Sequence, residues 1–184
     1  SVSHMGFVTL GIFSFNNEGV EGAILQMVTH GLTTGAMFLI VGQLYDRTHS
    51  REIADYGGLQ QRMPRFVAIL SLFAVASFGL PTTSNFIGEF LILVGVSYEN
   101  FVFVALAMGG IVLGAAYMLW MLQRVAFGQP RTEAASKLTD LNVREMFTVM
   151  PLAFSVVAIG VYPGPLLAVM DSSVTFVVER LAGF

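Results

Sequence analysis

Apolar residues run along the chain in five long blocks separated by short polar connections, and blocks of that length predict membrane-crossing helices rather than strands. The first block, Ser1 to Phe15, holds His4 and is too short to cross alone, so it reads as the second half of a helix. A turn without Lys or Arg follows at Asn16 to Glu21. The second block, Gly22 to Tyr45, carries His30 and as a helix would span ~36 Å. A polar loop from Asp46 to Arg65 then leads into the third block, Phe66 to Tyr98. The fourth, Phe101 to Gln123, has no charged side chain. A second polar loop, Arg124 to Glu145, precedes the fifth block, Met146 to Tyr162, which has Pro151 in its first turns and ends at Pro163-Gly-Pro165. A mildly amphipathic tail, Leu166 to Phe184, suits the membrane interface. The predicted fold is an all-α polytopic transmembrane bundle with about five crossing elements, one of them discontinuous.

The third block organises the rest. Glu89 is its only formally charged residue, and Pro81 sits near its middle. A proline inside an apolar helix removes a backbone donor and clashes with the preceding turn, so the helix breaks there. Thr82, Thr83, Ser84 and Asn85 are residue types that cap a restarted helix. Glu89 is then expected about one turn inside the second half-helix, where burial favours the protonated acid and the helix N-terminus favours the anion. A carboxyl balanced in this way is suited to taking and releasing a proton. The plainer alternative is a snorkelling or satisfied structural acid. Glu89 lies about ten residues from the nearer end of its block, too deep for so short a side chain to reach the interface. An ionisable group at that depth costs about 2.5–3.5 kcal/mol and usually marks an ion or proton pathway.

Loop charge adds a topology. Eight of the nine Lys and Arg residues fall in the two polar loops: Arg47, Arg51, Arg62 and Arg65 in the first, and Arg124, Arg131, Lys137 and Arg144 in the second. Both loops, 46–65 and 124–145, are therefore expected on the cytoplasmic side. An even number of crossings must lie between them, so the third block crosses once, as a broken helix and not as a hairpin. Such interrupted helices are where transporters build ion sites.

Composition narrows the function. Of 184 residues 55% are hydrophobic and 11% charged, with mean hydropathy +0.73; soluble domains carry about 25% charged residues. The absence of cysteine excludes disulfides, thiolate metal sites and cysteine-held iron–sulfur clusters in this chain. The net charge of −3, without a basic stripe, argues against nucleic acid. No cleavable signal peptide is visible. The chain shows no phosphate loop, nucleophile elbow, dinucleotide fingerprint or metal-ligand cluster, so no cofactor, metal or redox centre is expected in it.

Polar residues inside the blocks supply the remaining candidates. Gln26, His30, Thr33 and Thr34 share one helical face and could support a chain of hydrogen-bonding groups and waters. For Thr33 and Thr34 the preferred reading is helix–helix bonding, with Gly31 and Gly35 allowing close approach. For His30 the preferred reading is a proton relay, because imidazole exchanges protons near neutral pH. His4 carries the same argument, whereas His49 sits among loop charges and is expected to be solvated. Gly109, Gly110 and Gly114 read as packing residues, and Tyr117 and Trp120 as core or interface anchors.

Several segments carry a family resemblance. Ser1-Val-Ser-His-Met-Gly-Phe-Val8, Gln26-Met-Val-Thr-His-Gly-Leu32, Gly42-Gln-Leu-Tyr-Asp-Arg47, Gly57-Gly-Leu59, Gly79-Leu-Pro81 and Asn85-Phe-Ile-Gly-Glu-Phe90 closely resemble the antiporter-like chain M (subunit 4) family of proton-translocating NADH–quinone oxidoreductase, respiratory complex I. Tyr117-x-x-x-Met-Leu-x-Arg124 followed by Phe127-Gly128 is also similar. The matches run in the family's order and cover nearly the whole chain. Family members have about fourteen membrane helices, so residues 1–184 resemble their C-terminal part, without the upstream central lysines. The resemblance implies that Glu89 exchanges a proton with a neighbouring half-channel or subunit, and that His4 and His30 relay it through water. It implies further membrane-arm subunits and the lipid bilayer as partners, with quinone and NADH bound by other subunits. The implied location is the bacterial plasma membrane, or alternatively a mitochondrial inner or thylakoid membrane. Mrp-type cation/proton antiporters, membrane-bound hydrogenases and photosynthetic complex I share these motifs. A non-conducting scaffold is the further alternative. An acid on the broken helix, where the largest antiporter-like subunit carries lysine, suits chain M better.

Overall fold

A computed structural model describes residues 1–130 and 138–182. Arg131 and Lys137 of the second polar loop, and the end of the tail at Phe184, lie outside the described residues. The elements in order are α1 (Val2–Ile12), α2 (Asn17–Thr48), a 3-10 turn (Ile53–Asp55), α3 (Leu59–Arg62), α4 (Pro64–Ser77), α5 (Ser84–Ser97), α6 (Phe101–Ala126), α7 (Val143–Val161) and α8 (Gly164–Ala182). The described residues contain no strand. α2, α6 and α7 are long and apolar enough to cross a membrane, and α1, α4 and α5 are shorter apolar helices. The all-helical bundle expected from the hydropathy blocks is the fold.

Helix ends follow local chemistry, and several lie beyond the apolar blocks. Asn16 caps α2 by accepting a hydrogen bond from Gly19 N at 2.9 Å, so the polar stretch expected as a turn is helical from Asn17. At its other end α2 continues past Tyr45 until His49 adopts φ 53°. Pro64 opens α4, where its missing N–H costs nothing. A capping box between Asn142 and Glu145 starts α7.

α4 and α5 are the two halves of the broken helix, with Pro81 in the six-residue break at 78–83. Thr83 is the N-cap of α5, yet its side chain makes no capping bond; Oγ1 donates instead to Leu80 O at 2.6 Å. The expected hydroxyl cap is therefore not used. The Leu80 carbonyl also accepts from Thr83 N at 3.0 Å, so the main chain and side chain of Thr83 both close the break onto that one acceptor.

Together α4 and α5 run antiparallel to α2 along its whole length. At one end, Asn16 Nδ2 donates to Gly95 O at 2.8 Å. Midway, Thr33 Oγ1 donates to Asn85 Oδ1 at 3.3 Å. At the other end Arg47, whose Nη1 and Nη2 meet the two Glu145 oxygens at 2.7 Å each, also holds the Asp140 carbonyl, while the Asp140 carboxylate receives Arg65 N and Phe66 N. Phe66 and Gly95 thus lie at opposite ends of α2, so the broken helix makes a single crossing and not a hairpin.

Glycines let α2 and α5 touch backbone to backbone. A Cβ on Gly22 would lie 2.7 Å from Ile92 N, and one on Gly95 2.5 Å from Gly19 N. Gly31 and Gly35, expected to provide close approach, face open space and have no neighbour within 4 Å. The contact side of α2 is set by Gly19, Gly22 and Gln26, and the 31/35 pair lies on a different face.

Two apolar clusters flank this seam. The larger packs Ile40 and Leu44 of α2 with Phe66 and Phe73 of α4 and Val149 and Val156 of α7. The smaller joins Phe7, Ile92, Val96 and Val104. α6 leaves Leu106, Val112 and Leu113 exposed, as a lipid-facing helix does. Its Gly109 also faces open space, whereas Gly110 lies against Phe7 and Gly114 is buried, so the packing role expected of the three glycines is not realised at Gly109. The tail forms α8, where Asn17 Nδ2 donates to Thr175 Oγ1 at 3.1 Å.

Candidate functional site

Glu89 lies six residues into α5, on the face turned toward α1 and α2, and is 3% exposed. Its Oε1 is 3.0 Å from His4 Nδ1 and accepts from Gln26 Nε2 at 3.2 Å. His4, on α1, is itself buried. Three helices therefore converge on one carboxylate oxygen. The pair works in both protonation states: the ionised carboxylate accepts from a protonated Nδ1, and the neutral acid donates to a bare one. A buried acid without such partners would be far more costly.

His30 extends the contact outward. Its ring centroid lies 5.0 Å from that of His4, tilted by 39°. Its Nε2 is 3.0 Å from Ser1 Oγ, and Thr34 Oγ1 approaches the same nitrogen at 3.3 Å. His4, His30, Thr33, Thr34 and Ser77 line a cleft of about 290 Å³ that continues toward Tyr117 on α6. Met37, Phe38, Val41 and Met118 complete a mainly apolar lining, so the polar groups occupy one side of the cleft, and a space of that size has room for several waters against them. The structure thus brings Glu89, His4 and His30 into one row. Pro81 stands apart, exposed in the break. His49 is exposed at the end of α2, its ring edge-on to Tyr45.

The second oxygen of Glu89 lies against the break. A Cβ on Gly79 would stand 2.5 Å from Oε2, so only glycine leaves room for the carboxylate there. Gly79 has φ 75°, which glycine adopts freely. Thr82 has φ 80°, a left-handed conformation in which a β-branched residue is strained by about 1–3 kcal/mol. Such strain persists only where the surroundings over-determine the backbone.

Sequence reasoning placed Gln26 in a polar stripe without pairing it to Glu89, because helix periodicity says which side chains share a face but not what they face. Asn85, expected as a capping residue, bonds Thr33 instead. Gln26 Oε1 and Ser84 Oγ are buried with no hydrogen-bond partner, both close to the break. Among the described residues no three His, Cys, Asp or Glu side chains are grouped to hold a metal.

Comparison with known proteins places this arrangement in a family. The family model described as NADH:quinone oxidoreductase/Mrp antiporter, TM, matches residues 1–114. NADH-quinone oxidoreductase subunit M of Rhodobacter capsulatus is 46% identical over 180 residues, covering 98% of this chain and 35% of that protein. NADH-ubiquinone oxidoreductase chain 4 of Marchantia polymorpha is 48% identical, with 98% and 36% covered. Within the solved respiratory complex I from Thermus thermophilus with bound NADH, one chain superposes with TM-score 0.84 at 32% identity, covering 94% of this chain and 37% of that one. The chain spans about a third of the length of the relatives it matches. With a family model covering well over half of its residues and relatives nearly half identical from end to end, the chain belongs to the NADH:quinone oxidoreductase/Mrp antiporter transmembrane family.

Proposed function

We propose that this chain forms part of a proton-translocating membrane subunit of an NADH–quinone oxidoreductase, and that Glu89, His4 and His30 carry the proton. The observation that supports the reading most directly is the 3.0 Å contact between two buried ionisable groups, Glu89 Oε1 and His4 Nδ1, beside a helix break. A proton leaving Glu89 passes to His4 Nδ1 along that hydrogen bond. From His4 it reaches His30 through water in the adjoining cleft, since the 5.0 Å between ring centroids leaves the transfer to a bridging molecule. Gln26 Nε2 steadies the carboxylate after the proton has left.

The NADH and quinone chemistry then belongs to other subunits, in keeping with a chain that has no cysteine to hold an iron–sulfur cluster. The bilayer is the bacterial plasma membrane, with the arginine-bearing loops 46–65 and 124–145 on its cytoplasmic side. Glu89→Gln in the complete complex tests the reading by proton pumping per NADH oxidised, with assembly followed on a native gel. The expected result is an assembled complex whose pumping falls at least tenfold, because glutamine keeps the shape but cannot carry the proton. An assembled variant that pumps normally leaves Glu89 a structural acid. Pumping that depends on sodium would favour the Mrp-type cation/proton antiporter reading, which the family description also embraces.

A further inference from the structure

The break between α4 and α5 is held at two contacts, one of them with α7, a helix that carries none of Glu89, His4 and His30. On its inner side, Glu89 Oε2 fills the space left by the missing side chain of Gly79. On its outer side, Gly160 of α7 packs onto the main chain of Thr82 and Thr83, so closely that a Cβ there would collide with Thr82 O and with the carbonyl carbon of Thr83. Both atoms are backbone and cannot swing aside. Thr82, whose carbonyl oxygen meets Gly160, is held at φ 80°. Strain of this kind persists only while the surroundings hold it, and α7 at Gly160 is part of what holds Thr82, two residues before the start of α5. α7 is itself anchored: the Arg47–Glu145 pair ties its first turn to α2, and buried Val149 and Val156 fix its inner face.

We propose that Gly160 is a positioning residue for the proton relay: by letting α7 bear on the Thr82–Thr83 backbone, it holds the break where Glu89 reaches His4. The proposal rests on Glu89 carrying the proton. It adds that the geometry of the acid depends on α7, which meets the break through main-chain atoms at a glycine.

The test uses the complete complex in its membrane, with native-gel assembly, NADH oxidation and proton pumping measured together. Gly160→Ala is expected to assemble and oxidise NADH, while protons pumped per NADH fall tenfold or more, since a misplacement near 1 Å can cost about a hundredfold. The double variant Gly160→Ala/Thr82→Gly should recover most of that loss, because glycine at position 82 lets the break yield to the new methyl group. Gly109→Ala, on an open face of α6, should pump as the parent does. Glu89→Gln runs beside them. If it pumps normally, the proton reading fails and this proposal fails with it. If it loses pumping while Gly160→Ala keeps it, only the positioning role is overturned. Should Gly160→Ala not assemble, the double variant decides. Restored assembly with restored pumping supports the role, and a double variant that still fails to assemble or to pump overturns it.

Discussion

The two halves of α2 do opposite work on the same broken helix. From Gly19 to Thr33, α2 meets α5 through glycines and buried polar groups: Gly22 lies on the Ile92 backbone, Gln26 bonds Glu89 and Thr33 bonds Asn85. From Ala36 to Leu44, it meets α4 through Ile40 and Leu44, packed on Phe66 and Phe73. In a bilayer the second kind of contact gains little over lipid, since acyl chains are as apolar as leucine, so shape alone holds it. The first kind has two sources of specificity: glycine contacts that admit one depth, and polar atoms that find partners only at that depth. Glu89 and its partners sit in the half where relative position is most tightly determined, and the apolar half supplies a mount.

The difference can be broken at either end. The largest effect is expected from Gly22→Leu, whose side chain would meet Ile92 N at 2.7 Å, Leu91 Cβ at 2.8 Å and Gly88 O at 2.9 Å from its Cβ alone. Two of these are backbone atoms, so α2 and α5 must separate, and the variant should not appear in the assembled complex on a native gel. Phe73→Ala, in the apolar half, should assemble. It leaves a cavity and lowers stability by roughly 2–3 kcal/mol, below the usual range for this change because exposure to lipid adds little transfer cost. Thermal unfolding of the complex measures that loss, and pumping per NADH should be unaltered. The smallest effect is expected for Gly35→Ala on the same helix, where nothing lies within 4 Å. Stability should stay within about 1 kcal/mol of the parent, with full pumping. A Gly35→Ala variant as damaging as Gly22→Leu would show that α2 has a close neighbour on its open face in the assembly.

Much of the fold was legible because it follows from rules local to the chain. A block of apolar residues becomes a helix wherever it is placed in lipid, and a proline lacking an N–H interrupts that helix whatever surrounds it. The positions of the long helices, the break at Pro81 and the depth of Glu89 rest on those two facts. Loop charge and parity required one crossing for residues 66–98, and α4 and α5 accordingly lie end to end beside α2. The face shared by Gln26, His30 and Thr33 followed from helical periodicity in the same way.

Other features were decided only by tertiary structure. The residue types before α5 suited a cap, but Thr83 turns to the Leu80 carbonyl, because the break leaves that acceptor within reach. Gly31 and Gly35 had the spacing for close packing, but α5 lies against Gly19, Gly22 and Gln26 instead. His4 and Glu89 are separated by 85 positions in the chain and meet at 3.0 Å. No local pattern encodes such a meeting, nor the seating of Gly160 on the break. Both depend on the relative depth and rotation of separate helices, which are set where backbones touch. Local chemistry determined that an acid would be buried beside a helix break, and the close packing of α1, α2 and α5 decided that His4 and Gln26 would be the groups that meet it.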